Sequence, residues 1–303
     1  MSTQIGAQLP LFGPPSTNQG NGRSDSIRSD QASISFCVLG SGSGGNSTVV
    51  RFDDRALLID AGFGPTTIAG RLKEAKLRLA DIRAICLTHL DQDHFRPTWI
   101  ATLLKARIPV FLHRWHVDQL RRLPEGPRLV RAGIVRVFED EPFEPVIGFT
   151  VKPIRLAHDV KGTCGFKLET VGGHIGYATD LGHVPDRLID HFTDIDLLAI
   201  ESNYDPQMQR RSGRPLFLQR RIMGKQGHLS NQQAFDAVCA ILDRACLPQV
   251  RTKSPQHIVL LHRSRQCNCP TIVRDLFGRD KRIASRLTMA EQRRCTPWLR
   301  IEC

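Results

Sequence analysis

Short apolar runs bounded by Gly, Asp or Pro recur along the chain from Ile34 onward, a pattern typical of β-strands. In the first half they predict strands at 34–39, 47–52, 56–60, 82–89 and 108–113, with helices at 67–77 and 98–106. A second series predicts strands at 146–157, 164–170, 174–179, 195–201 and 257–262, with helices at 185–192, 215–224, 231–246 and 271–277. Strands and helices thus alternate twice without a long linker, which indicates α/β sheets packed together with helices outside.

Both ends of the chain lack this patterning. Residues 1–32 are rich in Ser, Thr, Asn, Gln, Gly and Pro, a composition that predicts a disordered tail. Residues 33–278 are predicted to form one domain, in which Ser230 and Gln233 match the capping box of a helix start. The remaining residues, 279–303, are basic and weakly patterned, and we treat them as a C-terminal extension.

The charge pattern points to a polyanionic partner. The 303 residues carry a formal net charge of +12, and Lys and Arg concentrate in 105–136, 210–225 and 263–294. Nucleic acid is the expected partner, whereas a merely solvated basic surface is the alternative.

No apolar stretch is long enough to span a membrane, so no membrane association is predicted. The N-terminal sequence does not resemble a secretory signal, and the nine cysteines are irregularly spaced. Both features favour a cytoplasmic protein with free thiols. The oligomeric state is not indicated by the sequence.

Four potential metal ligands lie within six residues in "THLDQDH", directly after an apolar strand. They are His89, Asp91, Asp93 and His94. In a tight turn, this spacing allows two side chains to face one point and two to face another, as two neighbouring metal ions require. Imidazole and carboxylate ligands suit Zn²⁺, Mn²⁺ or Fe. The alternative is a polar loop that contains these residues by chance.

Further ligands are predicted at the ends of other apolar strands, because four residues cannot hold two metals. His158 ends "IRLAH", Asp180 ends "IGYATD" and His262 ends "IVLLH". Each residue taken singly is typical of a structural position, but the repeated pattern favours a common site. A carboxylate such as Asp180 can bridge two ions, which an imidazole cannot do.

Together with Asp60 in "LLIDAG", these residues resemble the signature of the metallo-β-lactamase fold in its chain order. More narrowly, "VLGSGSGGNSTVV", "YATDLGHV", "AIESNYDPQM" and "GHLSNQQA" resemble the YycJ/WalJ-like group of metal-dependent DNA exonucleases. The resemblance covers roughly residues 33–278. It implies a four-layer αβ/βα sandwich with two divalent metal ions, Zn or Mn.

The resemblance also assigns roles to individual residues. One metal would be held by His89, Asp91 and His158, and the other by Asp93, His94 and His262, with Asp180 bridging them. Asp60 would support the motif from behind through hydrogen bonds. The family usually has His at position 91, so Asp91 leaves the identity and occupancy of the first metal open.

Four further residues are predicted to act on the substrate. His228 resembles a histidine of the tRNA-processing nuclease RNase Z that contacts the scissile phosphate, and would assist the leaving group. The alternative is that His228 has only a structural role at the start of the following helix. Ser43 and Asn46 in "SGSGGNS" are candidate phosphate contacts, with a tight turn as the alternative. Asn203 is a candidate substrate contact, with helix capping as the alternative.

The leading functional hypothesis is a phosphodiester hydrolase, specifically a DNA exonuclease. A hydroxide held between the two metals would attack phosphorus, with Asp93, Asp180 and His228 as the catalytic residues. One alternative is a hydrolase of small phosphodiesters or other esters, since the fold hosts many chemistries. Another is a nucleic-acid-binding protein with a degenerate metal site, for which Asp91 is the motive.

Overall fold

The computed structural model describes residues 33–247 and 252–302, so the predicted tail at 1–32 lies outside the described residues. In this part of the chain, two mixed β-sheets pack face to face and helices flank them. The α/β sandwich predicted from the sequence is therefore confirmed. Of the helices in these ranges, none combines the length and hydropathy needed to cross a bilayer.

The first sheet has the strand order β14-β1-β2-β3-β4-β5-β6, with strands numbered along the chain. Strands β1 to β3 pair antiparallel, and β3 to β6 pair parallel. The strands are β1 (Ile34–Gly40), β2 (Ser47–Phe52), β3 (Arg55–Ile59), β4 (Ile82–Cys86), β5 (Val110–His113), β6 (Val135–Phe138) and β14 (Leu299–Arg300).

The second sheet has the order β13-β12-β11-β10-β9-β8-β7. Strands β10 to β13 run parallel, and β7 to β10 pair antiparallel. The strands are β7 (Phe143–Val146), β8 (Phe149–Leu156), β9 (Thr163–Thr170), β10 (Gly173–Ala178), β11 (Leu197–Glu201), β12 (His257–Leu261) and β13 (Leu287–Met289).

The helices are α1 (Pro65–Glu74), α2 (Trp99–Ala106), α3 (Val117–Arg122), α4 (Gly126–Arg131), α5 (Asp186–His191), α6 (Pro206–Arg211), α7 (Leu216–Ile222), α8 (Asn231–Ala245), α9 (Pro270–Phe277) and α10 (Lys281–Ala284). The capping box predicted at Ser230 and Gln233 is confirmed at the start of α8.

Three hydrophobic cores separate the four layers. Successive residues of β1 show how one strand serves two of them: Phe36 and Val38 face the core between the sheets, while Cys37 and Leu39 face the helices α1 and α2. Every residue of β1 is buried, because both of its faces are covered. This explains why the predicted strands are continuous apolar runs in the sequence and do not alternate between apolar and polar residues.

The predicted strand at 146–157 contains β8 but begins too early. The chain turns at Gly148, whose φ is 88°, and Val146 ends the preceding strand β7, which forms a hairpin with β8. Elements α3, α4 and β6 were missed, because four to six residues contain too little of a helical or strand period to be recognised. The basic segment from 279 supplies α10 and pairs an edge strand with each sheet through β13 and β14. The cysteines of the described residues are free thiols.

Candidate metal centre

The candidate ligands lie where strands end, at one edge of the sandwich. Strands β8, β10, β11 and β12 point in the same direction, as do β3 and β4 in the other sheet. Their carboxyl ends therefore deliver side chains to one region. The residues that follow these strands are Asp60 after β3, the 88–94 loop after β4, His158 after β8, Asp180 after β10, Glu201 at the end of β11 and His262 after β12.

Three of these residues have left-handed backbone conformations. The φ angles are 61° for Asp60, 51° for Asp180 and 50° for His262. For residues with a Cβ, this conformation costs roughly 1–2 kcal/mol. Such strain persists only where the surrounding structure enforces it, and it concentrates at functional sites. Here it turns each side chain inward immediately after its strand.

His89, Asp91 and His158 form the first cluster, in which one ligand atom from each residue lies within 4.8 Å of the others. The Nε2 atoms of His89 and His158 lie 3.7 Å and 3.9 Å from Oδ2 of Asp91. Both imidazoles are buried, whereas 42% of the Asp91 side chain is exposed. The aspartate at the position where the family has histidine thus reaches the same point as the two imidazoles.

Asp93, His94, Asp180 and His262 form the second cluster by the same distance criterion. Nε2 of His94 lies 2.7 Å from Oδ2 of Asp180, and Nε2 of His262 lies 3.2 Å from Oδ2 of Asp93. The Asp180 carboxylate also contacts Nδ1 of His262.

Asp180 joins the two clusters. Its Oδ2 lies 2.7 Å from Nε2 of His94 in the second cluster and 3.3 Å from Nε2 of His89 in the first. The side chain is 2% exposed. The structure therefore brings together the seven residues that the sequence predicted as metal ligands, with Asp180 between them.

Hydrogen bonds from Nδ1–H, on the side of the ring that faces away from the cluster, orient the imidazoles of His94 and His158. Nδ1–H of His94 donates to Oδ2 of Asp60 at 2.8 Å, and Asp60 also accepts from the backbone N–H of Thr88 at 2.8 Å. Nδ1–H of His158 donates to the carbonyl of Gly227 at 3.0 Å. In both histidines the Nε2 lone pair is then directed at the cluster. Asp60 thus has the supporting position that the resemblance implied.

The donor set fits a metal ion. Nε2 of His89 is buried and, although Oδ2 of Asp180 lies 3.3 Å away, it makes no well-aligned hydrogen bond within the described residues. Burial disfavours the charged carboxylate of Asp180, but the neighbouring His262 and His94 outweigh burial and hold its pKa well below the ordinary value. Without another cation, the buried acids must be balanced by protonated imidazoles. Divalent cations can replace those protons, so the cluster can hold metal ions of the kind that imidazole and carboxylate bind.

Glu201 is a functional candidate that sequence reasoning missed. It is fully buried, and its Oε1 accepts from Nδ1–H of His228 at 2.7 Å and lies 3.0 Å from Nδ1 of His262. Its Oε2 accepts from the backbone N–H groups of Leu181 at 3.0 Å and Leu229 at 3.2 Å. The signal was present in the sequence, because "LLAIE" is an apolar strand that ends in an acid, like the strand before Asp180.

The environment of His228 sets its charge. Burial favours the neutral imidazole, but the adjacent carboxylate of Glu201 outweighs it and raises the pKa of His228 above its ordinary value. Burial likewise works against the Glu201 carboxylate, yet His228 holds the pKa of Glu201 below its ordinary value. Glu201 therefore supports a protonated His228 at the wall of the site.

A cavity of about 290 Å³ opens over the two clusters. Ser43, Asn203 and His228 line it, together with Arg214 and Arg221. The amide of Asn203 donates to the backbone carbonyl of His262 at 2.7 Å, so this residue also positions a cluster member.

The structure places Asn46 beneath the cavity rather than among its lining residues, and it is 1% exposed. Its Oδ1 accepts from the Ser41 hydroxyl and from the N–H of Gly42, both at 2.8 Å, and its amide donates to the carbonyl of Asp93 at 3.3 Å. Asn46 thus ties the glycine-rich loop to the metal motif.

Comparison with known proteins agrees with this geometry. Residues 55–257 match the family described as "Beta-lactamase superfamily domain". The chain belongs to this superfamily. The solved structure of the metallo-beta-lactamase fold protein YhfI from Bacillus subtilis covers 88% of this chain and 99% of its own, with a TM-score of 0.61 at 16% identity. The fold named from the sequence motifs is confirmed.

Two curated relatives show which group within the superfamily this chain resembles. Exodeoxyribonuclease YycJ of Bacillus anthracis is 28% identical over 246 residues, which cover 80% of this chain and 86% of the relative. Exodeoxyribonuclease WalJ of Streptococcus pneumoniae serotype 2 (strain D39) is 25% identical over 239 residues, covering 77% and 82%. The resemblance to the YycJ/WalJ group is confirmed, and the superfamily member described here is a hydrolase.

Proposed function

We propose that this protein hydrolyses phosphodiester bonds of DNA as an exonuclease. The observation that carries the proposal is the pair of His/Asp clusters that share Asp180 beneath a cavity with arginines in its wall. Two relatives named exodeoxyribonucleases, each covering more than three quarters of the chain, support DNA as the substrate.

We assign one metal ion to each cluster. His89, Asp91 and His158 would hold the first, Asp93, His94 and His262 the second, and Asp180 would contribute to both. When bound, divalent ions supply a water molecule of lowered pKa and neutralise charge on the phosphate. Zn²⁺ and Mn²⁺ both suit this donor set, and the added carboxylate of Asp91 favours the harder Mn²⁺.

The charge around the cavity suits a polyanionic strand. Between Asp205 and Asp236 the chain carries no acidic residue, and its cations are Arg210, Arg211, Arg214, Arg220, Arg221 and Lys225. Gln266 accepts from the Arg214 guanidinium at 3.0 Å and holds it at the cavity. Arg221 also donates to the carboxylate of Asp159 in the cavity wall, so the other cations would bind phosphates, in a sequence-independent way.

His228 is placed to act on the leaving group. Its Nδ1–H is held by Glu201, so its Nε2 remains for the substrate, and the side chain is 21% exposed. The raised pKa of His228 favours the form that can donate a proton to the departing oxygen. Glu201 positions this ring and stabilises its charge.

A nuclease assay tests the proposed function. With Mn²⁺ or Zn²⁺, we expect the protein to degrade labelled linear DNA but not covalently closed circular DNA, and to lose activity in EDTA. Binding should weaken as salt rises, because the arginines displace counterions from the phosphates.

Other outcomes of this assay would favour the alternatives. Hydrolysis of bis-p-nitrophenyl phosphate without cleavage of any nucleic acid would indicate a hydrolase of small phosphodiesters. Binding of DNA without bound metal or hydrolysis would indicate a degenerate site. Cleavage of RNA with DNA left intact would contradict the assignment of DNA.

Replacement of His228 separates its role from metal binding. We expect His228→Ala to lower kcat for DNA by about 10²–10⁴-fold, the range of general acid–base catalysis, while the metal content stays unchanged. His183→Ala is the matched control, because His183 is exposed and, among the described residues, its side chain bonds only to the backbone carbonyl of Lys225. Unchanged kcat in His228→Ala, measured at saturating substrate, would exclude the proposed role.

A further inference from the structure

An exposed aromatic side chain lies on a helix that lines the cavity. Phe217 lies in the first turn of α7 and is 74% exposed, an unusual state for a large apolar ring. Among the described residues, Phe217 makes no contact with another aromatic ring or with a guanidinium over its face. Its exposure is therefore not explained by aromatic or cation–π contacts within the described residues.

Helix α7 is a wall of the metal cavity. Leu218, Arg221 and Ile222 line the cavity at the three- and four-residue spacing of one helix face. Gln219 faces the protein body, where its amide donates to the carbonyls of Ser212 at 3.2 Å and Arg214 at 2.8 Å. These contacts fix the rotation of the helix about its own axis.

The rotation of α7 places Phe217 next to the cavity-lining face. Phe217 precedes Arg221 by four residues, so the two side chains lie on the same side of the helix, one turn or about 5.4 Å apart. Leu216, which is 69% exposed, is rotated a further 100° away from the cavity. Of the two exposed apolar residues, only Phe217 thus adjoins a residue that lines the site.

The positive charge near Phe217 indicates which kind of ligand this ring would contact. The segment from 206 to 235 contains six cationic residues and no acidic one. Arg214 and Arg221 line the same cavity as the metal ligands, and Arg221 is paired there with Asp159. A DNA strand whose cleaved phosphate lies at the metal clusters would bring the neighbouring base to the outer rim of α7. An aromatic ring flanked by arginines is the arrangement that binds unpaired bases, since every base offers a flat face to stack on.

We propose that Phe217 stacks on an unpaired base next to the phosphate that is cleaved. The inference rests on the proposed nuclease function and adds a preference for single-stranded or frayed ends. Stacking of this kind tolerates any base, so it would favour unpaired substrate without imposing sequence specificity.

Three variants of the full-length, metal-loaded protein test the stacking. We expect Phe217→Ala to raise KM for a single-stranded oligonucleotide about 10-fold, within the range measured for loss of one base–aromatic stack. Phe217→Trp should stay close to wild type, because tryptophan restores the stacking surface. Leu216→Ala is the matched control, with a similar exposed apolar residue removed from the other side of the helix. All three should retain the wild-type metal content, which would show that the metal centre is intact.

The same oligonucleotide with abasic residues at both ends completes the test. On this substrate the wild type should lose its advantage over Phe217→Ala. An equal KM for wild type and Phe217→Ala on the intact strand would overturn the stacking and leave the nuclease function standing, as would an effect that persists on the abasic strand. Hydrolysis of bis-p-nitrophenyl phosphate by a wild type that cleaves no nucleic acid would overturn both proposals.

Discussion

Asp180→Asn is expected to lower hydrolysis of DNA and of bis-p-nitrophenyl phosphate by at least about 1,000-fold, equivalent to roughly 4 kcal/mol of transition-state stabilisation. The change removes a negative charge that contacts both clusters, through Oδ2 at 2.7 Å from Nε2 of His94 and 3.3 Å from Nε2 of His89. Metal content, measured by elemental analysis after dialysis, should fall with activity.

The asparagine substitution removes the charge of residue 180 without disrupting the fold. Asn has nearly the volume of Asp and tolerates the left-handed conformation that residue 180 adopts, so the chain should remain folded. Asp53→Asn is the matched control, because Asp53 has a φ of 53° but lies exposed in the turn between β2 and β3. Full metal content and activity in Asp180→Asn would contradict the assignment of Asp180 to the metal centre.

Gly62→Ala is expected to destabilise the fold by about 3 kcal/mol, at the upper end of what overpacking of a core costs. A Cβ at this position would lie 1.7 Å from the carbonyl oxygen of Asp93 and 2.6 Å from the backbone nitrogen of Asn46. These obstacles are backbone atoms and cannot rotate away. The metal motif would have to move, so we expect weaker metal binding together with a lower melting temperature.

Gly70→Ala provides the opposite expectation for the same chemical change. Gly70 is exposed within α1, and a Cβ there would meet no atom within 4 Å. Alanine in a helix interior is favoured over glycine by roughly 0.5–1 kcal/mol, so this variant should be slightly more stable than wild type. Equal melting temperatures for the two variants, measured by calorimetry without added metal, would show that the loop around Gly62 adapts more easily than its contacts indicate.

The local elements could be predicted from the sequence because their signals are contained in a few consecutive residues. The predicted strand 34–39 and helix 231–246 agree with β1 and α8 within a residue at each end, owing to a continuous apolar run and a capping box. The hairpin at Gly148 was missed because apolar residues continue on both sides of the turn, which gives one long run. The edge strands β13 and β14 were missed because they have only two or three residues, whose place in a sheet depends on partners elsewhere in the chain.

Apolar runs and a short motif are sufficient to predict which side chains follow the strand ends: His89, Asp91, Asp93, His94, His158, Asp180 and His262. The residues that hold these side chains in place are known only from the three-dimensional fold. Glu201 reaches His228 across 27 residues, and Asn46 reaches Asp93 across 47. Such contacts depend on the parallel register of β10 to β12 and on the packing of the two sheets. Hydrophobic periodicity defines each strand separately, but it contains no information about which strand ends will meet.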